Sequence, residues 1–135
     1  MRVIRRIDHL GIAVKDLESA LGLWRDHLGL EVTFTEVVES QKVKVAALAV
    51  GESRIELLEP TDPESPVARF IEGRGEGVHH VALAVDDIGL ALQEARAAGL
   101  RLIDESPRRG AGGALIAFLH PKSTGGVLVE LCQHD

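Results

Sequence analysis

Four residues of this chain have the types and the spacing to hold a cation: His9, Glu56, His80 and Glu130. His9 lies in Ile7-Asp8-His9-Leu10-Gly11-Ile12-Ala13-Val14, and Val78-His79-His80-Val81-Ala82-Leu83-Ala84-Val85 repeats that stretch with His80 under His9. An Asp follows each copy (Asp16, Asp87), and each half later reaches an apolar run with one glutamate, Ile55-Glu56-Leu57 and Val129-Glu130-Leu131. Two imidazoles and two carboxylates suit a divalent first-row ion such as Co²⁺, Ni²⁺, Mn²⁺, Fe²⁺ or Zn²⁺, with positions open to water or substrate. A carboxylate framed by aliphatic residues must be paired if it is buried, and the same condition holds in both halves. His79 is the alternative to His80, but only His80 matches His9. His27, His120 and His134 have no counterpart in the repeat and read as surface or loop residues.

The elements that must position these groups follow from patterning. Residues 7–14 read as a buried strand, and Asp16 as the N-cap of a helix carrying Leu17, Ala20, Leu21, Trp24 and Leu28, with Gly29 as its stop. Residues 31–39, 43–50 and 54–59 read as a meander of three strands, the last ended by Pro60. Residues 61–77 hold a short helix (Val67, Phe70, Ile71) and a glycine-rich linker. The order then repeats: a strand at 78–85, a helix capped by Asp87 and stopped by Gly99, a short strand at 100–103, a basic glycine-rich loop at 107–113, and strands at 114–119 and 126–131. The expected fold class is α+β, with two βαβββ modules forming a cupped, partly open eight-stranded sheet and helices outside. The expected division is one domain made of half-module 1–60, linker 61–77 and half-module 78–135. Because strand side chains alternate faces, one inward residue per strand points into the cup.

Composition excludes several classes. The chain has 135 residues, a formal net charge of −6 and 3% aromatic residues, which argues against nucleic acid as a partner. No apolar run is long enough to span a bilayer. The start, Met1-Arg2-Val3-Ile4-Arg5-Arg6, lacks the apolar stretch of a signal peptide, so cytoplasmic residence is expected. With one cysteine, Cys132, no intrachain disulfide or thiolate cluster can form, and Cys132 reads as a small apolar residue at a strand end.

These stretches, with Arg54-Ile55-Glu56-Leu57-Leu58-Glu59-Pro60 and Gly75-Glu76-Gly77-Val78-His79-His80-Val81-Ala82, resemble the vicinal oxygen chelate superfamily of glyoxalase-like fold. The stretch Phe118-Leu119-His120-Pro121-Lys122-Ser123-Thr124-Gly125-Gly126-Val127-Leu128-Val129-Glu130-Leu131 is more specific and resembles the methylmalonyl-CoA epimerase family. The resemblance implies a metal held by His9, Glu56, His80 and Glu130, with Co²⁺ the expected ion and Ni²⁺, Mn²⁺ or Zn²⁺ the alternatives. It also implies a homodimer acting on a CoA thioester. One departure stands out. Some members carry a proton-transferring carboxylate on the middle strand of the first half, where this chain reads Gln41-Lys42-Val43-Lys44-Val45-Ala46-Ala47.

The chemistry expected is removal and return of the C2 proton of a methylmalonyl thioester through an enolate, with Glu130 the first candidate base and Glu56 the second. Lys122 and Ser123, with Arg108 and Arg109, are candidate contacts for phosphates or the substrate carboxylate, set against the reading that they are solvated loop residues. The competing enzyme is a glyoxalase I-like isomerase, which shares the ligand types. A ring-cleaving dioxygenase fits less well because Glu56 adds a second carboxylate. A non-catalytic binding protein would call for an apolar or aromatic cup with the ligands missing, and the chain has no Tyr, one Trp and three Phe and retains all four candidate ligands.

Overall fold

The computed structural model describes residues 3–135; Met1 and Arg2, part of the basic start, lie outside them. The chain forms two compact units, residues 9–79 and residues 1–8 with 80–135. The expected βαβββ order is present in each half of the sequence. The first half comprises β1 (Ile4–Ala13), α1 (Leu17–Leu21), β2 (Glu31–Val38), β3 (Val43–Val50) and β4 (Ser53–Pro60). After α2 (Pro66–Arg74) come β5 (Gly77–Val85), α3 (Ile88–Ala97), β6 (Arg108–Arg109), β7 (Leu115–Leu119) and β8 (Val129–Gln133).

In the unit 9–79 the strands run β2-β3-β4-β1, with β1 parallel to β4 and the other neighbours antiparallel. The unit containing 80–135 has the same arrangement, β6-β7-β8-β5, with β5 parallel to β8. Parallel neighbours need a crossover, so each first strand lies beside its unit's last strand. That places the histidine-bearing strand against the glutamate-bearing strand in both units.

The helices α1 and α3 start where the sequence predicts. Asp16 accepts from the Glu18 amide and Asp87 from the Leu90 amide, meeting donors that the first helical turn leaves over. Beyond Leu21 the first helix widens into a π-helical segment, Gly22–His27, and ends at Gly29 with φ 76°, a left-handed conformation that a side chain would strain. The helices cover one face of each sheet. Leu17 and Leu21 pack with Val14, Ala46, Leu48 and Leu57, while Ile88, Ala91, Leu92 and Ala95 pack with Ala117, Leu119 and Leu131. Alternation then leaves Ala47 and Glu56, or Phe118 and Glu130, on the opposite face of their strands.

Some boundaries differ from the sequence reading. The short strand expected at 100–103 is reduced to a single bridge, Leu102 to Leu119. Beyond it the Asp104 carboxylate accepts from the Phe118 amide at 2.8 Å, replacing a ladder bond with a side-chain one. The edge strand β6 instead falls inside the loop expected at 107–113, where Arg108 and Arg109 pair with Ile116 and Leu115. The last strand starts at Val129 rather than 126, because Gly125 and Gly126 take φ of 71° and 92°, and it continues to Gln133. Pro60 is the last residue of β4 rather than its stop, tolerable at a strand end because little pairing follows. Among the described residues no helix is long and apolar enough to cross a membrane.

Candidate functional site

Polar and charged side chains buried within the described residues are Asp8, His9, Glu56, Ser65, His80 and Glu130. Four of these are the predicted ligands. In the unit 9–79, His9 on β1 faces Arg54 on β4, and Gly11 faces Glu56. Gly11 has no side chain to stand between Glu56 and His9, and His9 Nδ1 lies 3.4 Å from Glu56 Oε2. The other unit repeats the device. Ala82, two residues past His80, faces Glu130, and His80 Nε2 lies 3.6 Å from Glu130 Oε1. A small residue two places after each histidine is thus part of the site's grammar. It was visible in the repeat as Gly11 and Ala82, and the sequence reading did not use it.

The two pairs differ in their surroundings. Arg54 donates from its guanidinium to Glu56 Oε2 at 2.8 Å, and the position two before Glu130 is Leu128. Across the next strand Glu56 is flanked by Ala47 and Glu130 by Phe118. Phe118 meets His80 edge to face, ring centroids 5.5 Å apart, and fixes the plane of the imidazole. Arg54 escaped the sequence reading because an Arg at the start of a strand carries no signal of its own. Only its place two residues before Glu56, on the same strand face, points to it.

Both His–Glu separations exceed an ordinary hydrogen bond. They are close to the edge of a coordination polyhedron with bonds of about 2.1 Å, which measures about 3.0–3.4 Å. Within each unit a nitrogen and a carboxylate oxygen are therefore spaced as two ligands of one ion would be. His79 is a different case. It lies edge to face against Phe70, 5.1 Å between ring centroids, and burial pushes its pKa down to about 4, which keeps the ring neutral.

The remaining candidates sit in structural roles. Arg108 binds Asp104 at 3.1 Å and lies over the Phe118 ring, and Arg109 donates to the Gly113 carbonyl at 2.6 Å. Ser123 Oγ accepts from the Arg101 amide at 2.9 Å, whereas Lys122 is exposed in the 3₁₀ turn Pro121–Ser123. His120 caps that turn by accepting from the Lys122 amide, and His27 is exposed, as expected of loop and surface residues. His134 too is exposed, just past β8. Its Nε2 lies 2.6 Å from the buried carboxylate of Asp8.

Residues 8–118 match the model of the glyoxalase/bleomycin resistance protein/dioxygenase superfamily. The uncharacterized protein YqjC of Bacillus subtilis is 43% identical over 96% of this chain and 93% of its own. The ethylmalonyl-CoA/methylmalonyl-CoA epimerase of Cereibacter sphaeroides is 39% identical over 97% of this chain and 99% of its own. A variant of Streptomyces coelicolor methylmalonyl-CoA epimerase, solved in complex with 2-nitronate-propionyl-CoA, aligns with a TM-score of 0.93 at 42% identity. That alignment covers 96% of this chain and 94% of the other. Duplicated strands, paired His and Glu in each half and similarity along nearly the whole length agree, and the chain belongs to the glyoxalase/bleomycin resistance protein/dioxygenase superfamily.

Proposed function

We propose that this protein is a metal-dependent epimerase that interconverts (R)- and (S)-methylmalonyl-CoA by removing and returning the proton at C2. The observation that carries the reading is a buried His beside a buried Glu at the same place in each half, in a chain similar to methylmalonyl-CoA epimerases along nearly its whole length. His9, Glu56, His80 and Glu130 would hold one divalent ion, Co²⁺ first, then Ni²⁺, Mn²⁺ or Zn²⁺. Bound there, the ion supplies Lewis acidity that stabilises the negative charge developing on the thioester oxygen.

The chain's own residues supply the proton transfers. Inversion needs an acceptor on one face of C2 and a donor on the other, each within about 3 Å. Glu130 is the first acceptor. Glu56, whose Oε2 accepts from Arg54, is the second. Gln41-Lys42-Val43-Lys44-Val45-Ala46-Ala47 contains no carboxylate, so the opposing group must come from elsewhere, and the paired glutamates of the repeat meet that need. Lys122, exposed in the turn between β7 and the strand that carries Glu130, is the first contact for a CoA phosphate. Arg108, Arg109 and Ser123 would have to exchange their present partners to join it. The working form is a cytoplasmic homodimer.

Chelated protein reloaded with Co²⁺ should convert a single epimer of methylmalonyl-CoA to the equilibrium mixture, and the chelated protein should not. Turnover of a glutathione hemithioacetal, with the CoA ester left unchanged, would transfer the assignment to the glyoxalase I type.

A further inference from the structure

Outside the paired His–Glu residues, one cluster of side chains has ligand chemistry that the epimerase reading does not use. Asp8, Cys132 and His134 lie together within the unit containing residues 1–8 and 80–135. Cys132 Sγ is 3.6 Å from Asp8 Oδ2 and 3.7 Å from His134 Nε2, and His134 Nε2 is 2.6 Å from Asp8 Oδ1. One thiol, one imidazole and one carboxylate thus offer donor atoms within 4.8 Å of one another.

The spacing suits a tetrahedral ion. With bonds of about 2.3 Å to sulfur and about 2.0 Å to nitrogen or oxygen, sulfur stands about 3.5 Å from each other ligand, and nitrogen and oxygen stand about 3.3 Å apart. Both distances from sulfur are already near that value. The imidazole–carboxylate pair is closer because those groups now share a hydrogen bond, and it must open by about 0.7 Å for an ion to replace the shared proton. His134, just past β8 and with 37% of its side chain exposed, has the freedom to move. Asp8 and Cys132 are buried and stay fixed.

The surroundings agree. A cavity of about 170 Å³, lined by Arg5, Arg6, Asp86, Cys132 and His134 among others, adjoins the cluster and gives an ion a route in and room for a water as fourth ligand. Arg6 lies 3.6 Å from Asp8 Oδ1, and Arg5 is engaged by Asp86 at 2.6 Å. A carboxylate, a thiolate and a neutral imidazole carry two negative charges, which a divalent ion cancels. The thiolate separates this set from the nitrogen and oxygen donors of His9, Glu56, His80 and Glu130, and it favours a softer ion.

We propose that Asp8, Cys132 and His134 form a second divalent-metal site of the zinc type, which ties β8 and the residue after it to the middle of β1. As the ion binds, the thiol proton leaves to solvent and the neutral His134 ring turns to the tautomer with its proton on Nδ1, which frees Nε2 for the ion. Chelated, reduced protein titrated with Co²⁺ should take up two equivalents, and one of them should produce the near-ultraviolet thiolate-to-cobalt charge-transfer band that nitrogen and oxygen ligands cannot give. His134→Ala, a change at a partly exposed position, should abolish the band and one equivalent while the other still binds. Competition with Zn²⁺ should bleach the band. Absence of the band at saturation in folded wild-type protein with Cys132 reduced would overturn the proposal, as would a band that survives His134→Ala. Because the band reports sulfur alone, failure of the epimerase assay leaves this test unaffected.

Discussion

At the scale of single residues, the structure separates two carboxylates that the sequence treats as equivalent. Glu130 sits beside Phe118, and Glu56 is held by Arg54. Glu130→Gln preserves shape but removes the proton acceptor. The expected outcome is a fall in kcat of about 10²- to 10⁴-fold with the fold intact, measured by epimer conversion and circular dichroism. Full activity with metal bound would remove Glu130 from the chemistry. Arg54→Leu should destabilise the metal-free protein by about 1–3 kcal/mol, because a buried carboxylate loses a charge-assisted partner; urea unfolding reads this directly. The four ligand candidates were legible because each occurs twice in register, so chance had to act in both halves. Arg54, Asp8 and His134 were not, since each interaction joins residues that no repeat relates. Asp8 and His134 are 126 positions apart.

At the scale of elements, the caps and the parallel strand pairs do the positioning. Asp16→Ala and Asp87→Ala should each cost about 1 kcal/mol of stability, seen as lower urea midpoints, while leaving epimerisation by the folded enzyme unchanged. A large loss of activity in either would mean that these loops touch substrate. Both helices and the central strands were legible from period and cap residues, as Asp16, Gly29, Asp87 and Gly99 show. The edge of the second half was not. Leu100 to Ile103 has the composition of a strand, yet Asp104 takes the Phe118 amide and the paired edge moves to Arg108 and Arg109. That outcome depends on a contact between residues 14 apart in sequence, which local propensity does not encode.

At the scale of the molecule, the duplicated βαβββ order sets one histidine-bearing strand beside one glutamate-bearing strand in each unit, and the proposed function asks both pairs to serve one ion. Such an ion binds the native state only. Adding Co²⁺ at a hundredfold excess over its Kd to chelated His134→Ala protein, in which this ion alone binds, should therefore stabilise it by about 2.7 kcal/mol, visible as a higher Tm. His80→Ala should remove most of that gain, and an unchanged gain would place the ion elsewhere. Superfamily membership was legible from the repeat, whereas the choice of substrate rested on residues 118–131; similarity to methylmalonyl-CoA epimerases runs along nearly the whole chain. The most direct test of an enolate-forming epimerase is exchange at C2. Metal-loaded protein incubated with methylmalonyl-CoA in deuterated water should place deuterium at C2 faster than the chelated protein does, as read by mass spectrometry. Interconversion of the epimers without deuterium entering from solvent, or no exchange by the loaded protein, would contradict it.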